Sequence, residues 1–172
     1  MESFILIVIV AMLAGLVQGI TGFGAGIIMM MVLPMFFALP QSAGISSAIC
    51  IVLGLSMVLT YRKHIRFQKI IGPSCLYLII CSGSIVFSTM VNQELMKKIF
   101  GCFLIVLSLY YLLINKDGEK KTFHIFISIL FIAISAICDG LFGIGGPLMV
   151  LYFLSTTENT HEYLGTIQMF FV

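Results

Sequence analysis

"GLVQGITGFGAGIIMMMVLP", Gly15 to Pro34, sets five glycines, a glutamine and a threonine inside an otherwise apolar run. An interior glycine costs a helix about 1 kcal/mol relative to alanine, so one continuous helix is a poor account of this stretch. The apolar run around it, Phe4–Leu39, has 36 residues, and a second run, Phe123–Leu154, has 32. As straight helices both would measure about 50 Å, against a bilayer hydrocarbon core of about 30 Å. Each is too long for one crossing and too short for two crossings with a turn. A crossing broken midway, or a crossing joined to a re-entrant half-helix, accommodates both. The breaks are expected at the glycines, near Thr21–Gly24 and near Phe142–Gly146.

Composition supports a membrane setting. Of 172 residues, 60% are hydrophobic and 9% are charged, where a soluble domain averages about 45–50% and about 25%. The lipid bilayer is therefore the first partner. A net charge of +2 gives no reason to expect nucleic acid. The five cysteines (Cys50, Cys75, Cys81, Cys102, Cys138) form no CxxC and no Cys/His cluster, so no metal, cofactor or disulfide framework is signalled. They read as small buried hydrophobes. His64, His124 and His161 have no ligand or catalytic partner in sequence and sit at the ends of apolar runs. The first residues, "MESFILIVIV", lack both the basic region and the cleavage site of a signal peptide, and so read as a retained membrane segment.

Four further runs complete about six spans: Ala43–Tyr61, Ile70–Val91, Leu95–Asn115 and a segment that starts at Tyr163. The loop 62–69 holds Arg62, Lys63, Arg66 and Lys69, and the loop 116–121 holds Lys116, Lys120 and Lys121. If loops alternate sides, seven of the nine basic residues share one side, which the positive-inside rule makes cytoplasmic. The expected topology is a multi-pass protein of the cytoplasmic membrane with a cytoplasmic N-terminus, and with Glu94, Glu158 and Glu162 outside.

An offset of 121 residues lays the second long run under the first. Gly19, Gly22 and Gly24 fall on Gly140, Gly143 and Gly145, Gln18 falls on Asp139, and Gly44 meets Gly165. The expected fold is thus all-α and integral to the membrane. It is a duplicated four-span repeat with a broken, glycine-rich first helix in each copy: a first unit at 1–121 and the start of a second at 122–172. Four spans per unit give both copies the same orientation, with the pseudo-two-fold along the membrane normal. Two other readings of the glycines exist. Ala11/Gly15/Gly19 and Gly22/Gly26 have the small-xxx-small spacing that lets helices pack closely. A dinucleotide fingerprint would need GxGxxG after a soluble strand and an acidic residue about 20 positions on, and this sequence has neither.

"GxxxGxTGFGAG…P" (Gly15, Gly19, Thr21, Gly22, Phe23, Gly24, Gly26, Pro34) and "DGLFGIGGPLMVLY" in the second half resemble the sulfite exporter TauE/SafE family, also called the toluene-sulfonate uptake permease group. The resemblance covers essentially the whole chain. It implies an eight-span cytoplasmic-membrane transporter for sulfur-containing anions such as sulfite and sulfonates, and no enzyme. Against that pattern the second copy lacks the counterpart of residues 52–120. Phe142, Met149 and Phe153 are then expected to meet lipid or another chain, Phe23 and Met30 to be enclosed by the second to fourth spans, and the chain to be inactive alone unless two copies complete one another as a homo-oligomer.

Lys97 and Lys98 stand at the very start of the Leu95–Asn115 run, and no Lys or Arg lies deeper in these spans. A small anionic substrate would have to be held by half-helix N-termini and backbone N–H groups, which glycines can turn inward as a nest. The expected binding set is Gly19, Gly22, Gly24, Gly140, Gly143, Gly145 and Gly146, with Phe23 between them, the Thr21 hydroxyl and the Gln18 amide. Ser46, Ser47 and Thr166 either line the entrance or pack helices. Asp139 is the one acid deep in an apolar run. Desolvation favours the neutral form of a carboxyl, as a proton-coupling group requires; the alternative is a cap on a half-helix that opens at Gly140. The competing functions are a membrane enzyme, which would want an acid/His cluster, and a packing subunit, which would have no cavity between the two breaks.

Overall fold

The computed structural model describes residues 2–114 and 125–172. Among them every regular element is a helix. In chain order they are α1 (Glu2–Thr21), α2 (Ala25–Val32), α3 (Leu39–Tyr61), α4 (Gln68–Met90), α5 (Gln93–Ile114), α6 (Ile125–Phe142), α7 (Gly146–Thr156) and α8 (Thr160–Phe171), with single 3-10 turns at Leu33–Met35 and Arg62–His64. Lys116, Lys120, Lys121 and His124 lie outside the described residues. The outward face is apolar: Met12, Ile20, Leu59, Ile79 and Phe126 each expose about two thirds or more of their surface. An apolar exterior of this extent belongs in lipid. Two helices, α3 with its extension to His64 and α4, are long and apolar enough to cross a bilayer.

Both long runs break at their glycines, at 22–24 and at 143–145. Gly22 (φ 80°) and Gly143 (φ 68°) take left-handed backbone, which a side chain resists. Each ends its helix the same way, donating its N–H four residues back, to Gln18 and to Asp139.

Beyond each break the chain turns back. Val10 and Ala14 of α1 cluster with Ala25, Met29 and Leu33, so α2 retraces α1. Ser135 Oγ of α6 donates to the Gly145 carbonyl, and Ile132 and Ala136 cluster with Met149, Val150 and Phe153 of α7. Each long run is therefore a helical hairpin that returns toward its starting end.

This geometry corrects the expected sidedness. Glu162, expected on the far side from the basic loop, meets Lys69 at 2.7 Å, and His161 stacks on Tyr61 at 5.7 Å between centroids. The loop after α7 and the loop after α3 thus share one end of the bundle. The alternating count treated α6–α7 as a crossing, whereas a hairpin crosses nothing. Lys69 fixes the arrangement twice, since its ammonium also donates to the Thr156 carbonyl at the C-terminus of α7, where the helix dipole favours a cation. At the opposite end Lys97 of α5 donates to the Pro34 carbonyl.

A second correction concerns enclosure. Phe142, Met149 and Phe153 are buried, not turned to lipid. Phe142 packs with Met30, Leu39, Met96 and Phe100, and Phe153 with Tyr77, Tyr163 and Ile167. The α6–α7 hairpin is wrapped by α4, α5 and α8 of the same chain, which the sequence count of missing partners did not foresee. Met30 is enclosed by α3, α5 and the tip of α6, while Phe23 is partly exposed and packs against the α7–α8 cluster.

Candidate functional site

The two glycine tips meet. A Cβ built on Gly26 would stand 3.4 Å from the Gly143 carbonyl oxygen, and one on Gly146 would stand 3.8 Å from Phe23 Cβ. Between the tips lies a cavity of about 160 Å³, walled on one side by Ser46, Ser47 and Cys50 of α3. The N-terminus of α2 (Gly24, Gly26) and that of α7 (Gly145, Gly146) both border it. No side chain caps the first-turn amides of either helix, although Pro147 leaves α7 one amide short and the Gly145 N–H is taken by Asp139. The partial positive charge of both helix starts therefore borders a shared space.

The sequence-derived residues divide. Gln18, Gly22, Phe23, Gly24, Asp139, Gly143, Gly145 and Gly146 line the cavity. Gly19, Thr21 and Gly140 are not among its lining residues. The Thr21 hydroxyl turns to its own chain, with the carbonyls of Val17 (2.8 Å) and Phe23 (2.6 Å) both in reach of its single proton. Gly140 serves helix approach, because a Cβ there would stand 2.5 Å from Ser84 Cβ and 2.6 Å from the Cys81 carbonyl of α4. Gln18 donates to Gln168 Oε1 (3.0 Å), and Gln168 donates to the Gly22 carbonyl (2.6 Å). That relay fixes the first tip to α8. Of the three hydroxyls with two sequence readings, Ser46 and Ser47 line the cavity, while Thr166 is buried and accepts from the Arg66 backbone.

Asp139 is not a cap on a helix opening at Gly140, since α6 runs through it to Phe142. Its carboxyl instead accepts from the Gly145 backbone N–H and lies 3.9 Å from the Cys81 thiol. Tyr77 went unnoticed in the sequence. Its hydroxyl sits against Gly145 beside Asp139, and neither it nor the buried Ser46 hydroxyl makes a hydrogen bond of good geometry within the protein. A buried polar group left so costs about 1–3 kcal/mol; of the two, only Ser46 lines the cavity, and there a polar occupant would offset the cost. Among the residues lining the cavity there is no Lys or Arg, and Asp139 is the one charged side chain.

The family model described as sulfite exporter TauE/SafE matches residues 7–172. The chain belongs to the TauE/SafE family. Comparisons with curated proteins and with solved structures returned no match. Both glycine tips and the cavity of this TauE/SafE chain fall within the matched span. Membership makes it a membrane transport protein of the sulfite-exporter type, in keeping with its apolar exterior.

Proposed function

We propose that this chain is a secondary transporter that carries a small sulfur-containing anion, sulfite or a sulfonate, through the cavity between the two glycine tips, with Asp139 coupling transport to protons. The observation that carries the reading is the pair of uncapped half-helix N-termini facing one cavity. Each terminus supplies roughly half a positive charge, which holds an anion without Lys or Arg. The Ser46 hydroxyl supplies a further donor. A packing subunit would leave no cavity between the breaks, and the volume found there speaks against it.

An ionised Asp139 repels an anion in the same cavity, and a protonated one does not. Loading a proton on Asp139 and loading the anion therefore favour one another, which is the linkage that symport needs. We also read the two hairpins as copies of one unit, on the strength of Gly22 and Gly143, Gly24 and Gly145, and Gln18 and Asp139 at one offset. With a hairpin and three through-going helices per unit, the second copy starts from the opposite end. The pseudo-two-fold then lies in the membrane plane, as in inverted-repeat transporters, rather than along the normal.

The test is radiolabelled sulfite uptake into proteoliposomes that hold this chain, with and without an imposed pH gradient. Because the second hairpin is enclosed by helices of this chain, gradient-driven, saturable uptake is expected here, in place of the inactivity that the sequence alone suggests. In Asp139→Asn the gradient should no longer drive uptake, while equilibrium sulfite binding is kept or tightened because a negative charge is gone. Undiminished gradient-driven uptake by Asp139→Asn would remove the coupling role, and no saturable uptake by the parent chain would remove the transporter reading.

A further inference from the structure

A second cavity, about 310 Å³, adjoins the first. The two share Ser47, Asp139 and Gly143 as common wall. The second reaches toward the end of the bundle marked by Lys97 and Pro34, since Leu39 and Pro40 at the start of α3, Thr89 at the end of α4 and Met96 at the start of α5 border it. It exceeds many-fold the roughly 10–15 Å³ that one water needs.

Its polar lining differs in kind from that of the first cavity. Ser88 spends its hydroxyl proton on the Ile85 carbonyl (2.7 Å), and Thr89 spends its own on the Val86 carbonyl (2.8 Å). A hydroxyl bonded in that way offers only lone pairs to the cavity. The wall is otherwise apolar, with Ser47 and the Asp139 carboxyl shared with the first cavity at the inner end. The polar groups that belong to this cavity alone, Ser88 and Thr89, offer acceptors, where the first cavity has helix N-termini. Acceptors attract cations and oriented water, and they disfavour anions.

We propose that this second cavity is a hydrated cation path, separate from the anion site, through which protons reach Asp139 from the end of the bundle opposite Lys69 and Glu162. The proposal rests on the coupling role given to Asp139 above. Among the described residues the titratable groups near Asp139 are Tyr77 and Cys81 of α4, Cys50 of α3 and its chain neighbour Cys138, none of them a cation. The anion and the proton then approach one carboxyl from two sides, and neither has to pass the other.

Two native thiols report on the two spaces, because Cys50 lines the first cavity and Cys81 the second. The detergent-purified chain is treated with a cationic methanethiosulfonate (the trimethylammonium reagent) or an anionic one (the sulfonate reagent). Mass spectrometry of the peptides gives each rate, divided by that of the same reagent with free mercaptoethanol. At Cys81 the cationic reagent is expected to win by about tenfold, the scale on which a cleft of one sign concentrates counter-ions. At Cys50 the preference should be weaker or reversed.

Gly44 lines the second cavity, and a Cβ there meets nothing within 4 Å. Gly44→Leu should therefore fold, fill the path and slow Cys81 modification about tenfold, while Gly44→Ala leaves it near the parent rate. Equal or anion-favouring rates at Cys81, no modification of Cys81 by either reagent, or a Gly44→Leu rate equal to the parent's would each overturn the proposal. Those results would leave sulfite uptake and its dependence on Asp139 standing. Loss of uptake in the proteoliposome test would remove the function and leave the labelling preference in place.

Discussion

Replacing Gly140 by alanine is expected to destabilise the protein by about 3 kcal/mol, the upper end of what overpacking costs. The added methyl would stand 2.5 Å from Ser84 Cβ, 2.6 Å from the Cys81 carbonyl oxygen and 3.1 Å from the Ile85 backbone nitrogen. These are backbone atoms and a Cβ, so no rotamer change relieves the clash, and α4 must move away from α6. That seam carries Asp139, Cys81 and Tyr77, so the cavity would deform with it. Gly83, on the same α4, is the control, because a Cβ there meets nothing within 4 Å. Gly83→Ala should be neutral or slightly stabilising, as alanine is the better helix former. Thermal aggregation of the detergent-purified chain, followed by size-exclusion, separates the two. Equal midpoints for Gly140→Ala and Gly83→Ala would contradict the close seam.

The second large effect is all-or-none. Cysteines placed at Lys63, in the loop after α3, and at Asn159, in the loop after α7, should react with a membrane-impermeant maleimide from the same side of intact cells. The five native cysteines are replaced beforehand. The ground for this is the Lys69–Glu162 ion pair at 2.7 Å, whose carboxylate is almost wholly buried. The Tyr61–His161 and His64–His161 ring contacts join the same two loops. A third cysteine at Lys97 should react from the other side, because Lys97 pairs with Pro34 at the far end. Labelling of 63 and 159 from opposite sides would restore a through-going crossing for the second long run and undo the α6–α7 hairpin.

The breaks were legible because over-length and glycine clustering are properties of the chain itself. A run of 36 apolar residues cannot be one straight span, and Gly22 and Gly143 stand where left-handed backbone is needed. What the run does after the break was not legible. A helix that continues and a helix that folds back have the same composition, and only the contacts of Ala14 with Ala25, or of Ala136 with Met149, separate them. The error in sidedness followed from that one ambiguity.

The site was legible in part for a related reason. A glycine that lets two helices touch and a glycine that frees a backbone amide look alike in sequence, so Gly140 was grouped with Gly143 although the first packs against α4. Thr21 was read as a donor to substrate, but its oxygen is engaged in its own turn. Ser46 and Ser47, for which the sequence leaves lining and packing both open, stand 20 and 21 residues past Gly26 and more than 90 before Asp139, and come to the cavity through the path of α3. Tyr77 carries no local signal at all, being one aromatic residue in an apolar helix.

The central claim is that the two uncapped half-helices jointly hold an anion, and equilibrium binding tests it most directly. Gly26 faces the cavity between them, and a Cβ there meets only ordinary contacts: the Gly143 carbonyl at 3.4 Å, with Cys50 Sγ and Ser46 Oγ both at 3.9 Å. Gly26→Leu should therefore leave α2 intact and place its isobutyl group where the anion sits. Binding of radiolabelled sulfite to the purified chain is expected to be saturable and to fall at least tenfold in Gly26→Leu, with the thermal midpoint kept; this corresponds to a loss of about 1.4 kcal/mol or more. Saturable binding of equal strength in the parent and in Gly26→Leu, or none in the parent, would contradict it.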